Sequence, residues 1–271
     1  MCFLEFSHEP PGKYYKTDSE FPLIQIVFEN DDFLVINKPA GLVCHPTKSG
    51  LLSSVVGQLR LLKGEKFIPR LIHRIDRETS GIILVAKNAS AARIFGSLIE
   101  SGAVIKQYLA IVHGWINAKE FVINLPIGPD LQSPVAIKDC IRPDGRKAFT
   151  RFKLLKQFER MEGRFSLISI ILGTGRKHQI RVHLSAIGHP VVGDKIYGVD
   201  ERFYLAFINR ELTPEMKSKL ILPWHALHCQ RLEFSWHGEH KKFVISPEAW
   251  FKKFLIECNN MRQNKIQFKK I

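Results

Sequence analysis

The densest chemistry in this chain lies at residues 73–80, His73-Arg74-Ile75-Asp76-Arg77-Glu78-Thr79-Ser80, enclosed by apolar runs at 67–72 and 82–86. Runs of this kind read as buried strands. The polar knot between them is therefore displayed at the edge of a core, where site residues are usually found. Asp76 stands two residues after Arg74 and directly before Arg77. Nearby cations keep a carboxylate ionised even when it is partly desolvated, and such a carboxylate can serve as a nucleophile. The same residues fit a strand-connecting turn whose charges pair with one another. Spacing alone leaves both readings open.

Two other stretches carry candidate chemistry. Val104–Val112 alternates as a strand, and Tyr108 shares a face with Val104, Ala110 and Val112, so its ring should point inward. A buried tyrosine usually finds a hydrogen-bond partner, and a packed core residue is the ordinary reading. In Gly173–Asp194, Gly173 and Gly175 permit a tight turn into a helix from about His178 to Ala186. Its N-terminus, beside Arg176 and Lys177, could hold an anion. His178, Arg181 and Ser185 would form a polar stripe on that helix, and Ile180, Leu184 and Ile187 an apolar one. The glycines at 173 and 175 lack the third member of a dinucleotide fingerprint and follow no βαβ pattern, which excludes that cofactor class. His225 and His228 should point to opposite faces of a strand, His178 and His183 are five apart, and no His-Glu-x-x-His or Cys/His set is present. A metal site is not expected.

The scaffold follows from periodicity. Ile24–Phe28 and Phe33–Asn37 form a hairpin turned by Asn30-Asp31-Asp32, and Leu51–Leu62 has helical spacing. Asn88 caps a helix over Ala89–Glu100, with Ala91, Ile94, Phe95, Leu98 and Ile99 on one face and Gly102 as its stop. Phe121–Ile127 is a strand. Residues 128–147 read as a long aperiodic loop whose Lys138, Arg142, Arg146 and Lys147 either grip phosphates or lie solvated. Lys147–Leu155 and Phe165–Leu172 form a strand pair, and 199–222 is a polar insertion, helical in part. Ala226–Phe234 and Lys242–Ile245 are strands, and Ser246 and Pro247 open a last helix with Trp250, Phe251, Phe254 and Leu255 as its buried stripe. The expected organisation is an irregular arm at 1–22, one domain at 23–258 and a basic tail at 259–271.

Composition bounds the setting. With 271 residues, 45% of them hydrophobic and 24% charged, the chain suits a soluble globular protein. Forty Lys+Arg against 26 Asp+Glu leave a net charge of +14, which fits a polyanionic partner, most commonly nucleic acid. Five scattered cysteines without a C-x-x-C pair argue against a disulfide framework or thiolate zinc site and fit a reducing compartment. The N-terminus does not read as a secretory signal, and no apolar stretch approaches the roughly 20 residues needed to span a bilayer. A cytoplasmic monomer without a membrane partner is the expectation.

Residues 73–81, His-Arg-Ile-Asp-Arg-Glu-Thr-Ser-Gly, resemble the H-R-L-D-x-x-T-S-G signature of the RluA-type pseudouridine synthases. Ile75 replaces the usual Leu and keeps its volume. Asn37–Leu42 (N-K-P-A-G-L), Lys106–Ala110 (K-x-Y-x-A), His178–Arg181 (H-Q-I-R) and Gly188–Asp194 (G-H-P-x-x-G-D) resemble further elements of that family, in family order. Leu227-His228 resembles its L-H-A strand, with Cys229 in place of Ala. The resemblance covers roughly residues 24–250. It implies an α+β fold with a mixed, largely antiparallel central sheet and flanking helices. It also implies isomerisation of uridine to pseudouridine in rRNA or tRNA, with no cofactor and no metal. Asp76 would be the nucleophile, Tyr108 the active-site tyrosine, and Arg181 the active-site arginine, pairing with Asp76. Arg74 would fill the place vacated by the flipped base, and His73, Thr79, Arg176, Lys177 and His178 would complete the substrate-binding set. Many members carry a small N-terminal RNA-binding module, which residues 1–22 are too few to build. Two rivals stay open: a catalytically silent RNA-binding protein, and a glycoside or nucleoside hydrolase. The hydrolase needs a paired acid, for which the knot offers only Glu78, a variable motif position.

Overall fold

Asn30 turns the first hairpin: its Oδ1 accepts from the backbone N–H of Asp32 at 3.0 Å and of Phe33 at 2.8 Å. This folds β1 (Gln25–Glu29) back onto β2 (Phe33–Lys38) as an antiparallel pair. The computed structural model to which these elements belong describes residues 21–46 and 50–256. The expected arm and tail lie outside the described residues, apart from Phe21 and Pro22.

The chain divides into two compact units, one running up to Ile105 and including Cys229–Pro247, the other holding Lys106–His228 and the segment from Glu248. In the first unit, α1 (Val55–Lys63) follows β2, capped by Ser54, whose side chain accepts from Gly57 N–H at 3.0 Å. Next come β3 (Arg70–Leu71) and β4 (Ser80–Ala86), and all seven residues of β4 are buried. Such a strand needs apolar side chains on both faces, which Ile82-Ile83-Leu84-Val85-Ala86 supply. β4 pairs antiparallel with β2 and with β3. Helix α2 (Ala89–Glu100) has the bounds read from sequence, with Asn88 accepting from Ala91 N–H at 2.8 Å. Ala91 and Phe95 are buried, while Ile94, at the rim of the expected stripe, is exposed. Phe95 stacks on Trp236 at 4.3 Å and meets Phe33 edge-on at 5.5 Å.

In the second unit, the neighbouring strands are β5 (Ile105–His113), β6 (Glu120–Asn124), β9 (Phe149–Arg160) and β10 (Gly163–Leu172), in the spatial order β5-β10-β9-β6, all antiparallel. Tyr108 through Val112 are all buried. The alternation in β5 therefore marks no solvent face: both sides are covered. Residues 128–147 are not the aperiodic loop that sequence suggested. They hold β7 (Ile127–Pro129) and β8 (Asp139–Ile141), which pair with each other. Strands of three residues are too short to leave a periodic signal. Lys138 is committed there to Asp130 at 3.2 Å and Glu201 at 2.6 Å, and Arg142 to Asp144 at 2.6 Å. Ile127, Val135 and Ala148 share a core with Val182, Ile196 and Tyr197, which seats α3 (Gln179–Ala186). The polar insertion carries α4 (Arg202–Ile208) and α5 (Pro214–Leu220), the latter capped by Thr213.

β11 (Leu227–Trp236) and β12 (Glu239–Val244) form an antiparallel pair, and β11 continues the first unit's sheet beside β4. Residues 249–256 are helical, starting two residues beyond Pro247 rather than at it. Its expected stripe is seated, with Phe251 and Phe254 buried. The fold class is α+β, with mainly antiparallel strand pairing and flanking helices. Among the described residues no helix is long and apolar enough to cross a membrane.

Candidate active site

The chain pairs with β4 as far as Ile72, whose N–H donates to Leu84 O at 2.9 Å. At the next ladder position a side chain substitutes for backbone: Leu84 N–H donates to His73 Nε2 at 3.2 Å. Accepting at Nε2 assigns the ring proton to Nδ1. The strand is thereby ended, and Arg74 to Thr79 lift away before β4 begins at Ser80. A turn closes the loop, Thr79 N–H to Asp76 O at 3.2 Å. Arg74 and Arg77 are exposed, Asp76 is half-buried, and His73, Glu78 and Thr79 are buried.

The backbone on both sides of Asp76 is held. Ile75 O accepts from the buried thiol of Cys44 at 3.3 Å, and burial pushes that thiol's pKa up, which keeps it a donor. Arg77 O accepts from Gly41 N–H at 2.9 Å and from Lys38 Nζ at 3.0 Å. Lys38 is fully buried and also donates to Pro39 O at 2.9 Å and Leu42 O at 2.8 Å. An ammonium has three donors, and these three carbonyls take one each. Gly41 O in turn accepts from Arg77 Nε at 3.2 Å. Such fixing of the supporting shell is what a reactive side chain needs in order to be pre-oriented. Gly81 explains the last letter of the motif. Its φ is +112°, and a Cβ there would lie 2.2 Å from Cys229 O, so only glycine lets β11 approach.

In the second unit, Gln179 organises the turn into α3. Its Oε1 accepts from Thr174 Oγ1 at 2.7 Å and Arg176 N–H at 3.0 Å, and its Nε2 donates to Phe149 O at 3.0 Å and Thr150 Oγ1 at 2.9 Å. Thr150 Oγ1 also meets His183 Nδ1 at 2.9 Å, while His183 Nε2 lies 3.0 Å from Leu125 O. A carbonyl only accepts, so Nε2 carries the proton and Nδ1 accepts from Thr150. Burial lowers the His183 pKa and keeps it neutral in this arrangement.

This network draws the chain into a left-handed turn at His178, φ +55°, immediately before α3. His178 is therefore the N-cap of α3, and the expected stripe of His178, Arg181 and Ser185 along one helix does not exist. Its Nδ1 lies 2.8 Å from Tyr197 Oη, which also accepts from Asp139 N–H at 3.0 Å. Burial raises the Tyr197 pKa, so the hydroxyl keeps its proton. Lys177 pairs with Asp139 at 3.0 Å, and Arg176 is exposed, its Nε on Lys147 O at 3.1 Å.

Arg181 is buried, its Nε 2.6 Å from Asp194 Oδ2 and its Nη2 2.7 Å from Oδ1. The guanidinium also stands 4.9 Å over the Tyr197 ring. Burial opposes ionisation of Asp194, but Arg181 outweighs it and, with His225 and the Tyr197 N–H, holds the carboxyl well below the usual range. Removing one partner of such a buried pair typically costs about 3–5 kcal/mol. Within its own unit Arg181 thus pairs with Asp194, an acid to which sequence reasoning gave no role. Tyr108 is buried on β5 opposite Ile170 of β10.

The expected site residues thus fall into two groups. His73, Arg74, Asp76 and Thr79 share one loop of the first unit. Tyr108 on β5 and the Arg176–Arg181 segment belong to the second. His73 and Thr79 are buried, and His73 uses Nε2 within the sheet. Three residues escaped sequence reasoning: Lys38, Asp194 and Tyr197. Lys38 and Asp194 lay inside recognised stretches but had no assigned role, because their partners are remote in sequence. Among the described residues no three His, Cys, Asp or Glu side chains cluster as a metal site.

A family model described as RNA pseudouridylate synthase matches residues 32–186, a span that includes Asp76, Tyr108 and Arg181. The uncharacterized RNA pseudouridine synthase YhcT of Bacillus subtilis is 35% identical over 207 residues, covering 75% of this chain and 66% of that protein. Ribosomal large subunit pseudouridine synthase C of Vibrio parahaemolyticus is 40% identical over 178 residues, covering 66% of this chain and 54% of its own. The chain spans between 39% and 66% of the length of the first four curated relatives. Among solved structures, human RNA pseudouridylate synthase domain containing 1 superposes with a TM-score of 0.66 at 27% identity, covering 86% of each chain. With its signature loop, its strand tyrosine and its α3 arginine all inside the matched span, the chain belongs to the RNA pseudouridylate synthase family.

Proposed function

We propose that this protein isomerises a uridine in structured RNA to pseudouridine, with Asp76 as the nucleophile. The observation that carries the reading is Asp76 itself: a half-buried carboxylate whose neighbouring carbonyls, at Ile75 and Arg77, are held by Cys44, Gly41 and Lys38. The reaction breaks the N1–C1′ bond and forms C5–C1′, with a proton lost from C5 and one gained at N1. No group is added and no electron leaves, so the chemistry calls for a nucleophile, an orienting cation and a base.

The target base must leave its stack to be reached, at a cost of a few kcal/mol. Exposed Arg74, two residues from Asp76, suits the place that base vacates. Asp76 attacks the anomeric carbon or the pyrimidine ring, Arg181 orients the charge, and Tyr108 stacks on the base and accepts the C5 proton. Exposed Arg176 contacts RNA beside that base, while Lys177 and His178 are held by Asp139 and Tyr197 and shape that surface. Large-subunit ribosomal RNA is the favoured substrate class because the Vibrio relative is named for it, and tRNA is the comparison substrate.

The test is nucleoside analysis by mass spectrometry of ribosomal RNA fragments and tRNA transcripts incubated with the purified protein. Pseudouridine without free uracil is the expected product. Free uracil would instead indicate a hydrolase, and RNA binding without conversion a silent binding protein. Asp76→Asn should bind RNA within about threefold of the parent and form no pseudouridine; turnover by that variant removes Asp76 as nucleophile.

A further inference from the structure

We propose that Asp194 and Tyr197 are positioning residues that fix the orientation of Arg181 for the isomerisation. This rests on the catalytic reading of Arg181 given above. The carboxylate of Asp194 has no freedom to turn. Its Oδ1 accepts from Ile196 N–H at 2.9 Å and Tyr197 N–H at 3.0 Å, as well as from Arg181 Nη2 at 2.7 Å. Its Oδ2 takes Arg181 Nε at 2.6 Å. The short turn after Asp194 therefore orients the carboxylate, and the carboxylate orients the guanidinium by a two-point fork.

The guanidinium is held by a ring as well as by the fork. The Tyr197 ring lies 4.9 Å from it, and that ring is tethered at its hydroxyl by Asp139 N–H at 3.0 Å and His178 Nδ1 at 2.8 Å. Gly193 places the assembly: its φ is +81°, and a Cβ there would sit 2.4 Å from Trp224 O. The Asp194 fork uses Nε and Nη2, so Nη1 is the corner it leaves to other contacts.

Stability alone does not account for such a device. An apolar pair of similar volume commonly holds a buried position as well as an ion pair does. What a forked arginine held against a tethered ring supplies is a fixed direction for its charge, and misplacing a catalytic group by about 1 Å can cost on the order of 100-fold in rate.

The experiment is single-turnover isomerisation, with RNA affinity measured in parallel, on four proteins: wild type, Arg181→Met, Asp194→Asn and the double variant. Asp194→Asn should slow the chemical step about 100-fold while RNA affinity stays within about threefold. In the Arg181→Met background, Asp194→Asn should cost nothing further, because a residue that acts only through Arg181 has nothing left to position. Tyr197→Phe, which keeps the ring but loses both tethers, should show the same non-additivity with a smaller loss.

An Asp194→Asn rate equal to wild type, or a full additional loss in the Arg181→Met background, overturns the proposal. A wild-type rate in Arg181→Met itself overturns the catalytic reading of Arg181 instead, and the two failures are thus told apart. Should Asp194→Asn fail to fold by circular dichroism, nitrogen-15 NMR of the Arg181 side chain in the intact protein decides. Restricted rotation about Nε–Cζ supports the fork, and an averaged, freely rotating guanidinium overturns it.

Discussion

Tyr108 carries a phenol into the interior of β5, with Leu109, Ala110 and Ile111 buried behind it on the same strand. In the proposed reaction that oxygen is the base for the C5 proton, a step that follows binding, flipping and glycosidic cleavage. Tyr108→Phe keeps the ring and removes only the base. It should bind RNA normally and lower product formation by about 100-fold or more, with an enzyme-bound species accumulating in rapid-quench experiments. A wild-type rate would exclude the proton role. Asp76, Tyr108 and Arg181 were legible as residue types at motif spacing. Lys38 was not, because its partner Arg77 is 39 positions away, and no local pattern announces that an ammonium will be consumed by carbonyls. Asp194 was hidden for a related reason: its carboxylate acts on a guanidinium 13 residues earlier, around a turn whose course only the fold reveals.

Single glycines decide how closely elements approach. Gly81 opens β4 at a φ of +112° and leaves β11 no room for a side chain, the nearest backbone atoms lying 2.2 and 2.7 Å from a built Cβ. Gly81→Ala combines overpacking with backbone strain and should cost about 3 kcal/mol or more. That is a fall in melting temperature of roughly 6 °C or more by calorimetry; an unchanged transition would mean that β4 and β11 are not so close. At this scale long periodic elements were readable. α2 has its sequence-read bounds because Asn88, the apolar stripe and Gly102 agree. The misreadings were local. β7 and β8 are too short for periodicity to register, and His178 leaves the helix because the Gln179 side chain closes the turn before it.

Across the whole chain, a net charge of +14 makes the proposed association with RNA an electrostatic problem first. The logarithm of affinity should fall linearly with the logarithm of salt concentration as counterions are released. Not every cation is available for this. Lys138 is held by Asp130 and Glu201, Arg142 by Asp144 and Lys177 by Asp139, whereas Arg176 is exposed with a backbone carbonyl as its contact. Arg176→Gln should therefore weaken binding evenly across RNA sequences and reduce the salt slope by about 1, measured by filter binding between 50 and 300 mM salt as roughly chosen limits. An unchanged slope would show that Arg176 touches no phosphate. Residue identity and order alone determined the family and the α+β class, and singled out the three side chains of the proposed chemistry, since these follow from local spacing and from motifs contiguous in the chain. Tertiary structure alone decided which charges are already spent on one another, that Asp194 and Tyr197 grip Arg181, and that Lys38 and Cys44 hold the loop of Asp76. Those are contacts between segments distant in sequence, and buried pairing depends on distance and desolvation, which no one-dimensional pattern encodes.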